Sequence, residues 1–103
     1  MNELHQIFDS KLFKVLSEPV RIDILKVLAQ HGQMDIAEIT GYLPQDRSVV
    51  ARHLQVLERA GLVRSSKEGR HTYYEIDGSG VLKQLEELTE LFKKLAPLCC
   101  PKR

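Results

Sequence analysis

The chain has 103 residues, is 43% hydrophobic and 28% charged, and carries a formal net charge of +1. That length reads as one small domain over residues 1–103, and the composition excludes a disordered chain, which would lack the apolar surface to offset the entropy of folding. No apolar run approaches the roughly 20 residues that span a bilayer. The opening Met1-Asn2-Glu3-Leu4-His5 has neither the basic head nor the apolar block of a secretory leader. The two cysteines, adjacent at Cys99 and Cys100, make no secreted disulfide framework. The expectation is a soluble, cytoplasmic protein with no membrane partner. A domain of this size buries only about 60–65% of its unfolded surface, so a partner subunit would help it.

In chain order, Leu4, Phe8, Leu12 and Val15/Leu16 lie at helical spacing and predict a first helix over 4–16. Ser17-Glu18-Pro19 stops it and starts a second helix, over 19–30, because proline fits a first turn where no amide partner is lost. Ile22, Ile24, Leu25 and Leu28 are its apolar residues, and His31-Gly32 ends it. Met34-Asp35 opens a short third helix with Asp35 as cap and with Ile36, Ile39 and Leu43 inward; Gly41 and Pro44 break it. The fourth helix begins near Asp46, a capping residue type, and ends before Gly61.

At about 100° per residue from Val50, residues His53, Leu54 and Leu57 fall within about 60° of it, while Ser48, Arg52, Gln55 and Arg59 fall at about 140–200°. One face is apolar. The other is polar and basic with no carboxylate, unlike the mixed signs of an ordinary solvated face. His53 faces inward and reads as a buried histidine bonded to backbone. Leu62–Lys67 and His71–Ile76 read as two strands joined by Glu68-Gly69-Arg70, and Asp77-Gly78-Ser79-Gly80 closes the hairpin. A last helix spans 79–96, with Val81, Leu85, Leu88, Phe92 and Leu95 in one stripe widened by Leu82 and Leu91; Pro97 ends it.

The charge follows this division. Residues 1–43 carry a net −2, residues 44–76 a net +2 and residues 77–103 a net +1. Five of the six cations in the middle third are arginines, the better fork for phosphate and guanine edges. Four helices, a β-hairpin and a closing helix make a mainly α fold, a winged helix-turn-helix. In that fold the second helix of the pair lies in the DNA major groove and its N-terminal residues reach base edges. The hairpin tip carries Lys67 and Arg70 to the flanking backbone or minor groove.

Three blocks resemble the ArsR/SmtB family of bacterial winged-helix repressors. Leu16-Ser17-Glu18-Pro19-Val20-Arg21-Ile22-Asp23-Ile24-Leu25 is similar to its opening. Ser48 through Val63, including Arg52-His53-Leu54 and Glu58-Arg59-Ala60-Gly61-Leu62-Val63, is similar to its recognition block. Glu68-Gly69-Arg70-His71-Thr72-Tyr73-Tyr74 is similar to its wing. The resemblance covers nearly the whole chain in the right order and spacing. It implies a homodimer, joined through the first and last helices, that binds an inverted repeat of double-stranded operator DNA until an inducer lowers its affinity. Those same two helices carry more apolar surface than a monomer readily covers.

On the recognition helix, Arg52 faces outward toward a guanine or a phosphate. Arg47 at the helix start opposes the helix dipole, which a nearby phosphate would explain. Ser48, Val49 and Ala51 are small enough to let the helix sit deep, with Val49 able to touch a thymine methyl. Gln55 shares the outer face. The family usually has a hydroxyl residue at the Val49 and Ala51 positions, so fewer polar base contacts or a different operator are expected here.

No cofactor is required. The resemblance brings known inducer sites, and most are missing. Gln33-Met34-Asp35-Ile36-Ala37 holds no cysteine, the recognition helix holds none, and Gly78, Gly80, Leu91 and Lys94 stand where last-helix zinc ligands would be. What remains is Cys99-Cys100, a soft pair suited to As(III), the favoured inducer, and also to Cd(II), Zn(II) or Cu(I). A third thiolate for As(III) would come from the other subunit or a small thiol. A tetrahedral site would use both pairs or a histidine such as His5. Thiol redox or reactive-sulfur sensing is the alternative, as is a regulator with no metal inducer. The rival class is a winged-helix module that binds protein, and a steep salt dependence of DNA affinity separates the two. No nucleophile–base constellation, phosphate loop or paired-carboxylate site supports an enzyme.

Overall fold

The computed structural model describes residues 2–99. The order is α1 (Asn2–Phe8), α2 (Lys11–Leu16), α3 (Pro19–His31), β1 (Met34–Asp35), α4 (Ile36–Thr40), α5 (Arg47–Arg59), β2 (Val63–Glu68), β3 (His71–Ile76) and α6 (Gly78–Cys99). This is the expected winged helix-turn-helix, with α4 and α5 as the helix pair and β2–β3 as the wing.

The expected first helix is two helices. Asp9 and Ser10 interrupt it, and the Ser10 hydroxyl accepts the Phe13 amide at 3.3 Å, capping α2. Short polar side chains that bond their own backbone compete with helix continuation. The break turns the apolar stripe: Ile7 is buried, whereas Phe8 stacks on Phe13 near the surface, ring centroids 6.0 Å apart.

Pro19 occupies the first turn of α3, and Gly32 ends that helix at φ +77°, its amide bonded to the Leu28 carbonyl. α4 starts with a reciprocal capping box between Asp35 and Glu38. Asp46 caps α5 by backbone alone, its carbonyl accepting from the Val50 amide at 3.0 Å.

The sheet has three strands in the order β1-β3-β2, all antiparallel. β1 is not foreseen by patterning, because two residues are too short to show a period of two. Glu68 pairs with His71, leaving Gly69-Arg70 as a two-residue turn with Gly69 at φ +62°. That is the glycine-first form of a tight hairpin.

The core sits between α3, α4, α5 and the sheet. Ile24, Ile39, Val50, Leu54 and Leu57 are fully buried in it, with Leu28, Leu62 and Val63 nearly so. α6 continues to Cys99 through Pro97, which had been expected to end it. A proline in a last turn forfeits one amide bond but keeps a helical φ.

α6 divides its stripe. Val81 and Leu88 pack on the core and Leu95 is buried, while Leu82, Leu85 and Phe92 stay exposed. Ile7, Leu12, Phe13, Leu85, Leu88 and Phe92 line an apolar groove between the N-terminal helices and α6.

Two local ties set the start of α6. Asp77 Oδ1 accepts the Gly80 amide at 3.1 Å and the Ser79 hydroxyl at 2.9 Å. A Cβ on Gly80 would overlap the carbonyl oxygen of Gly61, so glycine is what lets α6 approach the corner after α5. Among the described residues no helix is long and apolar enough to cross a membrane.

Candidate nucleic-acid interface

The periodicity of α5 predicts its placement. Val50, Leu54 and Leu57 reach the core, which turns Ser48, Arg52, Gln55 and Arg59 outward, all exposed, with Arg47 exposed at the helix start. Val49 and Ala51 are half-buried, so each offers only part of its surface. Lys67 and Arg70 are exposed on the wing. None of Arg47, Arg52, Arg59, Lys67 and Arg70 is in an ion pair among the described residues. Arg64 differs: its Nε meets Glu75 Oε1 at 2.8 Å across the strand pair, and that bond raises its pKa above the ordinary arginine value. The hairpin thus neutralises one arginine near its base and leaves two cations free toward its tip.

The structure brings Arg47 and Arg70 together. Both line one cleft between the start of α5 and the wing, with Asp35, His71, Thr72 and Tyr74. His71 Nδ1 lies 3.3 Å from Asp35 Oδ2. Burial and the nearby Glu58 carboxylate raise the pKa of the Tyr74 phenol. Sequence reasoning did not single out His71 and Thr72, although both lie in the wing block that follows Arg70. Ser48, Arg52 and Gln55 lie further along α5, and Lys67 sits on β2 opposite Thr72.

His53 is corrected. It is half-buried, and its Nδ1 accepts from the side chain of Arg21 (Nε, 3.2 Å) rather than from backbone. Arg21 also donates to the Val15 carbonyl at 3.1 Å. One guanidinium from α3 therefore braces the end of α2 and the back of α5. Two further bonds fix the wing's base: Ser65 Oγ donates to Glu58 of α5 at 2.6 Å, and Gln33 Nε2 donates to Ser66 Oγ at 3.1 Å.

The expected metal pair lies at the edge of what is described. Cys99 is the last residue of α6, its side chain is outside the described set, and Cys100 lies beyond the described residues. Among the described residues no group of three or more His, Cys, Asp or Glu side chains could hold a metal ion.

A helix pair whose second helix shows an unpaired basic face, flanked by a hairpin with its own free cations, defines a winged helix-turn-helix DNA-binding regulator. The family described as "Bacterial regulatory protein, arsR family" matches residues 18–65. An HTH-type transcriptional regulator of Methanocaldococcus jannaschii is 33% identical over 82 residues, 80% of this chain and 92% of that protein. The arsenical resistance operon repressor of Bacillus subtilis is 30% identical over 94 residues, 90% of this chain and 89% of its own. Among solved structures, an ArsR-like transcriptional regulator from Rhodococcus superposes with a TM-score of 0.75 at 26% identity, covering 92% of this chain and 87% of that one. The chain belongs to the arsR family of transcriptional regulators and is not an enzyme.

Proposed function

We propose that this protein is a cytoplasmic, homodimeric repressor that binds an inverted-repeat operator and is released when a thiophilic metalloid, As(III) first, binds Cys99 and Cys100. The observation that carries the DNA half is the set of exposed arginines on α5, Arg52 and Arg59 on its outer face and Arg47 at its start, which with Lys67 and Arg70 on the wing have no ion pair among the described residues. Ser48, Val49, Ala51 and Gln55 supply the small and polar surface that lets the helix approach base edges. The dimer half is supported by the exposed apolar side chains Phe8, Phe13, Leu82, Leu85 and Phe92, of which Phe13, Leu85 and Phe92 line one groove. Twofold symmetry then matches half-sites about one helical turn apart.

The inducer half is supported by donor chemistry and by a relative's name. Two adjacent thiolates are soft donors that select thiophilic ions, and the Bacillus subtilis relative is named for arsenical resistance. Two sulfurs per chain fall one short of the three that As(III) takes, so the third comes from the partner subunit or a small thiol.

The test is fluorescence anisotropy of the reduced protein on the duplex upstream of its own coding sequence. Titrations carry As(III), Cd(II) or Zn(II), in the wild type and in Cys99→Ser/Cys100→Ser. Release of the wild type and not of the double variant supports the reading. Binding unchanged by every ion ends the metal half and turns the search to oxidants and polysulfide.

A further inference from the structure

We propose that His71 is a DNA-phosphate ligand and that Asp35 is its positioning residue, the pair joining Arg47 and Arg70 in one phosphate seat where the recognition helix meets the wing. The proposal rests on the DNA-binding reading and deepens it.

The cleft that carries it has a volume of about 480 Å³ and draws its donors from three elements: Arg47 from α5, Arg70 from the hairpin turn, His71 from β3. Asp35 is held firmly. Its backbone pairs β1 to β3 opposite Tyr73, its Oδ1 accepts the Glu38 amide at 2.8 Å, and its own amide donates to Glu38 Oε1 at 3.0 Å. Its second oxygen is what meets His71 Nδ1 at 3.3 Å. The Asp35 side chain is only 17% exposed, whereas the His71 ring is 62% exposed. A fixed carboxylate thus lies 3.3 Å from one ring nitrogen, within ion-pair range of a protonated ring, while the other, Nε2, has no partner among the described residues.

An imidazolium donates from both nitrogens, while a neutral imidazole donates from one. With Asp35 at Nδ1, only the imidazolium gives a proton from Nε2 to a phosphate oxygen as well. The charged and titratable groups around the ring are Asp35 from β1, Glu68 opposite it on β2, Tyr73 and Tyr74 on β3, Arg70 in the turn and Arg47 on α5. Asp35 and Glu68 offset the two arginines, and a DNA phosphate would supply the further anion. Affinity should rise toward the acid side of the range, about pH 5–8, in which imidazoles change charge. The contact also ties the wing to the helix pair.

The experiment measures anisotropy on two labelled duplexes, the upstream fragment and one of mixed sequence, at about pH 6 and about pH 8 over a series of KCl concentrations. It compares wild type, His71→Gln and Asp35→Asn; asparagine keeps the helix cap. Circular dichroism and melting curves confirm that each variant is folded. The wild type should bind on the order of tenfold more tightly at the lower pH, as for one charge-assisted contact per subunit. His71→Gln should remove most of that difference and reduce the slope of log affinity against log salt by about one per subunit, at the lower pH only. Asp35→Asn should reduce the pH dependence while leaving binding at the higher pH unchanged. If His71→Gln binds with the wild-type pH profile and salt slope, the seat is overturned and the DNA reading stands. If Asp35→Asn matches the wild type throughout, its positioning role is overturned. If the wild type binds neither duplex at low salt, the seat and the DNA reading fall together.

Discussion

Phe92→Ser should dissociate the proposed homodimer without unfolding the protomer. Phe92 leaves 46% of its surface in solvent. A phenylalanine offers about 200 Å², so about 90 Å² remains for a partner to cover. At about 25 cal/mol per Å² that is about 2 kcal/mol. A twofold interface counts the residue twice, giving about 4–5 kcal/mol and a dissociation constant weaker by roughly three decades. Sedimentation equilibrium over a range of concentrations reads this directly, and far-UV circular dichroism checks the fold. Exposed Phe13 and Leu85 line the same groove, so the variant should be monomeric at concentrations where the wild type is dimeric. An unchanged dissociation constant, or a wild type that stays monomeric at high concentration, refutes the assignment of this face.

Gly80→Ala should lower stability by about 1–3 kcal/mol, the usual scale of overpacking against a fixed neighbour, because its Cβ would overlap the Gly61 carbonyl; a melting temperature equal to the wild type's contradicts that close approach. Asp77 has a pKa lowered by the Gly80 amide, the Ser79 hydroxyl and nearby Arg64. A depressed carboxyl stabilises the fold above its unfolded value, about pH 4, and that contribution is lost as pH falls through the lower folded value. Denaturant titrations should therefore show a shallower acid decline for Asp77→Asn than for the wild type, and identical profiles would remove Asp77 from the account.

Periodicity reveals the recognition helix because α5 buries one face against the core and exposes the other, so Val50, Leu54 and Leu57 separate cleanly from Arg52, Gln55 and Arg59. The hairpin is legible for a similar reason, its glycine-first turn being a local requirement. Features that depend on competition or on distant partners are not. Asp9-Ser10 can continue a helix or cap the next one, and patterning ranks the apolar stripe above that choice. β1 exists because β3 lies beside it. The partner of His53 is an arginine 32 positions earlier in the chain, and Asp35 is read as a helix cap without sign of its second contact to His71. In the last helix the spacing groups Leu85 and Phe92 with Leu88 and Leu95; only packing shows that the first two keep nearly half their surface in solvent.

The central claim is that the free cations of α5 and the wing bind operator DNA. The most direct test is the salt dependence of affinity for the upstream duplex in wild type, Arg52→Ala and Arg70→Ala. Log affinity should fall linearly with log salt. Arg52→Ala should lose about 1–3 kcal/mol if that arginine reads a base, and Arg70→Ala should show a slope smaller by about one per subunit. Binding that is insensitive to salt, or affinity unchanged in both variants at moderate salt, contradicts the claim.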